Sequence, residues 1–87
     1  MPYFQYNPKK SQSNLEKHGI DFEQAQALWD DPNLVRILAR SEDEPRTMII
    51  ARLEEQIWSA IVTDRDDEIR IISVRRSRAR EVEIYES

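Results

Sequence analysis

Apolar positions change their period twice along this chain, and the changes divide it into elements. Tyr3-Phe4-Gln5-Tyr6 is a short aromatic run that suits an edge strand. Asn7-Pro8 then reads as an N-cap followed by proline in the first turn, which opens a helix running to about His18. Gly19 stands where a left-handed C-terminal cap is wanted. Asp21 with Gln24 three residues on makes a capping box, and Phe22, Ala25, Leu28 and Trp29 recur at helical spacing. This second helix stops at Asp30-Asp31-Pro32-Asn33, because the proline biases its predecessor away from helix.

From Leu34 the period drops to two. Val35, Ile37 and Ala39 alternate with Arg36, Leu38 and Arg40, the pattern of a half-exposed strand. The polar run from Ser41 to Pro45 is a loop. Two further strands, Thr47 to Leu53 and Ile57 to Thr63, flank Glu54-Glu55 in a hairpin without glycine, which favours a type I-based loop. After the charged turn Asp64 to Glu68 comes Ile69 to Ser77. There Ile69 and Ile71 take one parity and Ile72 and Val74 the other, as in a strand covered on both faces near a sheet centre. Ser77 is the expected cap of a short last helix with Ala79, Val82 and Tyr85 as its packing stripe. The resulting order is β-α-α-β-β-β-β-α. It predicts an α+β fold with a mainly antiparallel sheet packed by helices, in one domain over residues 1–87.

Composition narrows the chemistry. The chain has no cysteine and one glycine, which excludes disulfides, thiolate metal sites, cysteine nucleophiles and glycine-rich phosphate loops. No apolar run approaches the length of a membrane span, and the start is unlike a signal peptide, so a soluble cytoplasmic protein is expected. The formal net charge is −4, against a generic nucleic-acid binder, but six of the 13 Lys and Arg fall between Arg65 and Arg80. A local basic patch on an acidic body is the reading that accommodates both facts.

Four groups of residues are candidates for chemistry. His18, the only histidine, follows Lys17 at the end of the first helix. Both favour the negative end of the helix dipole, and either has the chemistry of a general acid or base. Arg78 and Arg80 stand in the first turn of the last helix, where positive charge opposes the dipole. Either something negative visits that turn or Glu81 and nearby acids neutralise it. Arg36, Arg40, Arg46, Arg52, Arg70 and Arg76 all occupy even positions of their strands, so cooperating registers would gather an arginine patch suited to phosphate. The 17 acids show no metal-ligand spacing, and no cofactor or metal is expected. Trp29 and Trp58 keep phase with apolar neighbours and belong to the core.

Several segments together resemble the BrnT family of bacterial type II toxins. Asn14 with Lys17-His18-Gly19 and Phe22-Glu23-Gln24-Ala25 is similar to its signature, and Trp29-Asp30-Asp31-Pro32 to its helix exit. The stretch Ile69 to Arg76 resembles its Ile-Arg-Ile-Ile-Ser-Ala-Arg-Lys, and Arg80-Glu81 with Tyr85 its ending. The chain departs from the pattern at Pro45, Ala51, Val74 and Arg76, and lacks a histidine near Ser41.

The resemblance implies a RelE-like fold and an endoribonuclease that needs no metal. It implies Lys17, His18, Arg46, Arg70 and Arg75 as catalytic candidates and adds Glu81 for holding substrate, a role for which the arginine patch and the basic helix start put forward Arg52, Arg76 and Arg78. It also implies a cognate antitoxin whose ribbon-helix-helix portion binds operator DNA, so that the toxin meets DNA only through that partner. The free state would be a homodimer, or the complex a toxin–antitoxin heterotetramer. A metal-free nuclease is coherent chemistry: the 2′-hydroxyl of RNA attacks its own 3′-phosphate once a base takes the proton, and arginine or lysine stabilises the phosphoryl oxygens. The rival reading is a non-catalytic toxin-like scaffold that pairs with an antitoxin or regulator. A weaker third is a small RNA- or ribosome-binding protein.

Overall fold

The computed structural model describes residues 3–39 and 45–87. Of the loop expected over Ser41 to Pro45, residues 41–44 lie outside the described residues, as does Arg40 before it.

Local signals set the first half. Helix α1 spans Pro8–His18, and the Asn7 side chain accepts hydrogen bonds from the Lys9 and Lys10 N–H groups. It ends at Gly19 with φ 79°, a conformation that favours a residue without Cβ. Asp21 and Gln24 close the expected capping box on α2, Phe22–Ala25. Instead of continuing as one α-helix to Asp30, the chain tightens into a 3-10 turn over Gln26–Asp30. Phe22, Ala25 and Leu28 are spaced by three, the 3-10 period, and all three are essentially inaccessible while Trp29 is half-buried. Core burial, not helix propensity, decides that segment.

Five strands form one sheet in the order β1-β5-β4-β3-β2, with β1 at Tyr3–Gln5, β2 at Val35–Ala39, β3 at Arg46–Leu53, β4 at Gln56–Arg65 and β5 at Glu68–Arg76. Strands β2 to β5 run as an antiparallel meander, and β1 adds parallel to β5 against Glu68–Arg70 only. The β3–β4 hairpin is tighter than a type I-based loop: Leu53 pairs with Gln56, and Glu54 takes φ 58°. Arg65 pairs with Glu68 in the same way across a turn in which Asp66 has φ 51°. Left-handed residues at such two-residue turns match the twist of the strands, which compensates their strain.

The two sheet faces differ. One carries Ile49, Ala51, Trp58, Ala60, Val62, Ile69, Ile71 and Val74, buried under Ile20, Phe22, Ala25 and Leu28 of the α1–α2 layer. Phe4 meets Trp29 edge-on at 4.9 Å, and Tyr6 meets Phe22 at 5.7 Å, which ties the N-terminal strand to that layer. The opposite face is covered by α3, Ala79–Glu86, toward one end. That helix has no fully buried residue.

A bulge in β5 revises the expectation of a doubly covered strand. Val62 pairs with Ile71 and Ile61 with Ser73, so Ile72 is an extra residue that opposes nothing on β4. The face flips there. Ile69, Ile71 and Val74 therefore share the core face, and the two parities reflect one bulge, not two buried faces. β5 is next to the sheet edge; β4 is central.

Beyond Arg70 the outer edge of β5 has no strand beside it among the described residues, and Asn14 of α1 fills the gap. Its side-chain Nδ2 donates to the Val74 carbonyl at 2.9 Å and to the Ile20 carbonyl at 2.8 Å, and its Oδ1 accepts from the Val74 N–H at 3.1 Å. A side-chain amide thus does the work of a neighbouring strand, in a site where Asn14 is only 6% exposed.

Candidate functional site

Residues opposite one another in a sheet share a face, so the registers place each arginine. Arg70 pairs with Thr63, Ser73 with Ile61 and Arg75 with Ser59, all on the face away from the main core. Arg52 pairs with Ile57 on that same face, and Arg46 joins it by alternation from Thr47, the partner of Val62. Arg36 pairs with Ile49, and Arg76 with Trp58, so both belong to the core-side face. The even-numbered patch is corrected accordingly. The bulge at Ile72 brings Arg75, of odd parity, onto the face of Arg70 and sends Arg76 to the other side.

These arginines fall into two groups. Continuing the β3–β4 register sets Arg46 across from Thr63, so Arg46 and Arg70 flank it in one row, their strands roughly 10 Å apart. The Thr63 side chain is 2% exposed, and its hydroxyl has no hydrogen-bond partner among the described residues. Neither Arg46 nor Arg70 forms an ion pair with a described carboxylate. Arg75 stands about 13 Å away along the strand direction, beyond the half-buried row of Ser73, Ile61 and Met48.

Arg75 is engaged. Its two terminal nitrogens grip Glu81 of α3 at 2.7 and 2.8 Å, a bidentate pair only 27% and 13% exposed. Glu81 also accepts from the buried Ser59 hydroxyl at 2.8 Å and from the Arg78 N–H at 2.9 Å. Ser59 meets the Ser77 hydroxyl at 2.7 Å. Arg78, not Ser77, is therefore the N-cap of α3, and Ser77 is spent on the sheet. The charged partner of Glu81 is thus Arg75 of β5, and the first turn of α3 gives it only the Arg78 backbone N–H.

The Arg75 guanidinium, with help from the Arg78 N–H and Ser59, holds the Glu81 carboxyl down at about 2, against an ordinary 4.5. Because the folded value is depressed, the stabilisation is complete above the unfolded value and is lost as pH falls through the folded one. Melting temperatures of the native protein and Glu81→Gln should therefore differ by a constant amount from neutrality to about pH 4.5. The gap should then narrow toward pH 2. A gap that stays constant across that window would show that the pair does not anchor α3.

The far end of α3 is held by a second carboxylate. The Tyr85 hydroxyl donates to Asp31 Oδ2 at 2.6 Å, and the Arg52 N–H donates to the same oxygen at 2.8 Å. Burial opposes the charged form of Asp31. Hydrogen bonds from Arg52, Tyr85 and the Asn33 N–H outweigh it and keep the carboxyl below its ordinary value. The Arg52 backbone N–H thus helps seat α3.

Lys17 and His18 lie at the exposed C-terminal end of α1. They line a cleft of about 200 Å³ with Lys10, Ser13, Asn14, Ile72 and Ser73. Ser73 links this cleft to the arginine face, since its side chain has the same facing as Arg70 and Arg75. Among the described residues no three His, Cys, Asp or Glu side chains converge to hold a metal ion. No helix among them is long and apolar enough to cross a membrane.

Sequence reading passed over Ser59, Ser73 and the Asp31–Tyr85 contact, and saw in Asn14 only a motif. Ser59 could have been noticed, as the one polar residue in Ile57-Trp58-Ser59-Ala60-Ile61-Val62. The others depend on contacts between residues distant in the chain.

Residues 6–81 match a family described as the ribonuclease toxin, BrnT, of type II toxin-antitoxin systems. No curated protein matches the chain.

Proposed function

Since the chain belongs to the BrnT family of ribonuclease toxins from type II toxin-antitoxin systems, we propose that it is a metal-independent endoribonuclease. It would act in the cytoplasm as a single RelE-like toxin domain, arrest translation and growth by cutting RNA, and be neutralised by a cognate antitoxin with a ribbon-helix-helix portion. Operator DNA would be reached only through that antitoxin. The observation that carries the reading is the sheet face on which Arg46 and Arg70 flank Thr63, without a described carboxylate to neutralise them, beside an edge that leads to Lys17 and His18.

The chemistry follows from those groups. A phosphodiester seated on Arg70 and Arg46 gains charge-assisted hydrogen bonds that strengthen as negative charge builds on its non-bridging oxygens. Lys17 or His18, reaching over Ser73, removes the proton from the adjacent 2′-hydroxyl or returns one to the leaving 5′-oxygen. The products are a 2′,3′-cyclic phosphate and a 5′-hydroxyl, and DNA, which lacks the nucleophile, is spared. Purified protein incubated with single-stranded RNA in excess chelator should give cyclic-phosphate ends, read by mass spectrometry.

The closure of Arg75 on Glu81 favours a second reading, a scaffold that pairs with an antitoxin without cleaving. Absence of cleavage with or without added metal, alongside tight antitoxin binding, would select it.

A further inference from the structure

Lys10, Ser13, Asn14 and Lys17 recur at spacings of three and four, which brings them to one side of α1, and they wall the cleft against Ile72 and Ser73. Three features set this cleft apart from two others formed by the described residues. Its lining includes Lys10, Lys17 and His18 but no carboxylate. By contrast, the cleft at Gly19, Gln24 and Trp58 contains Glu54, and the one at Pro32 contains Asp30, Asp31 and Glu54. Next, β1 stops pairing at Arg70, so among the described residues no strand flanks β5 where Ile72 and Ser73 lie. Last, the bulge at Ile72 turns Ser73 toward the face of Arg70, so the cleft and the arginine row meet at that residue.

From this juxtaposition we infer that the cleft is a second phosphate subsite for single-stranded RNA, built by Lys10 and Ser13. It takes the backbone of a nucleotide next to the one whose phosphate lies on Arg70. The inference rests on the nuclease reading and extends it: the strand crosses the open edge of β5 at Ser73, where Lys17 and His18 line the same cleft. Lys10 supplies a point charge on a flexible stem and Ser13 a hydroxyl donor, a pairing that suits a phosphate and reads no base.

The test measures binding of a 2′-O-methylated oligoribonucleotide, which cannot be cleaved, over a salt series by fluorescence anisotropy. Cleavage of the all-ribose strand is followed in parallel. Lys10→Ala should weaken binding about three- to ten-fold and lower the slope of log affinity against log salt by about 0.7, the change for one lost contact to a single strand. Ser13→Ala should weaken binding less and leave the slope. Lys10→Arg should restore the slope, and Lys9→Ala, whose side chain lies outside the cleft, should behave as the native protein. A native protein that cuts RNA while Lys10→Ala binds and cuts equally well overturns the subsite and leaves the nuclease reading standing. If Lys10→Ala instead loses only antitoxin affinity, the cleft is a protein-docking site and the RNA assignment is wrong. Native protein that neither binds nor cuts RNA overturns both.

Discussion

Replacing Asn14 by alanine should destabilise the protein by about 3–4 kcal/mol, the largest stability loss expected from any single polar substitution in this chain. The amide satisfies both hydrogen-bonding groups of Val74 and the Ile20 carbonyl. Removing it costs three hydrogen bonds and leaves three backbone groups in a site that water enters poorly. For a domain of this size, that corresponds to a fall of roughly 15 °C or more in Tm. Asn14→Asp should be no better: it keeps the acceptor for the Val74 N–H but sets a carboxylate oxygen against the two carbonyls. Urea denaturation would decide the matter, and a loss below about 1 kcal/mol would mean that water replaces the amide easily. Since α1 carries Lys10, Lys17 and His18, loosening Asn14 should also impair any chemistry at the β5 edge.

Arg70→Ala should abolish growth arrest on expression and lower RNA cleavage by about 10²–10³-fold, the usual effect of removing one donor to a developing oxyanion. Its fold should survive. Arg70 is half-exposed and has no ion pair with a described residue, so little structure depends on its charge. Arg46→Ala, across Thr63, should behave similarly and more weakly, because Arg46 is exposed. Arg70→Lys should recover part of the activity by charge alone, without the fork that matches two phosphoryl oxygens. A fully toxic Arg70→Ala protein would move the site elsewhere. Arg75→Ala is the less informative variant. It would release Glu81 and unseat α3, so stability and activity would fall together.

The ion pair of Arg75 shows where sequence reading loses resolution. As a basic residue at the end of an apolar strand, Arg75 looks equivalent to Arg70, and the family resemblance treats both as catalytic candidates. What separates them is Glu81, six residues on, which is brought back over the sheet by the turn into α3. At the start of that helix Glu81 accepts from the Arg78 backbone N–H and takes the Arg75 guanidinium as its charged partner. Arg36 and Arg76 failed for a different reason. Their parity is right within each strand, but a shared face depends on how strands align: the β2–β3 register sets Arg36 opposite Ile49, and the extra residue at Ile72 reverses Arg76.

The sequence by itself determined the element order, the caps at Asn7, Gly19 and Asp21, the meander, and the core stripe of Phe22, Ala25 and Leu28. These are local properties, decided by backbone preference and by hydrophobic period within a few residues. Tertiary structure alone decided the parallel pairing of β1, the 3-10 ending of the second helix, the bulge, and the grouping of arginines into a row at Thr63 and an anchored pair at Glu81. Each of these depends on register or on contacts across the chain, which the period of one segment does not encode. The strand Glu68–Arg76 joins the two: its isoleucines announce a buried strand, but only the bulge says which arginines share a face.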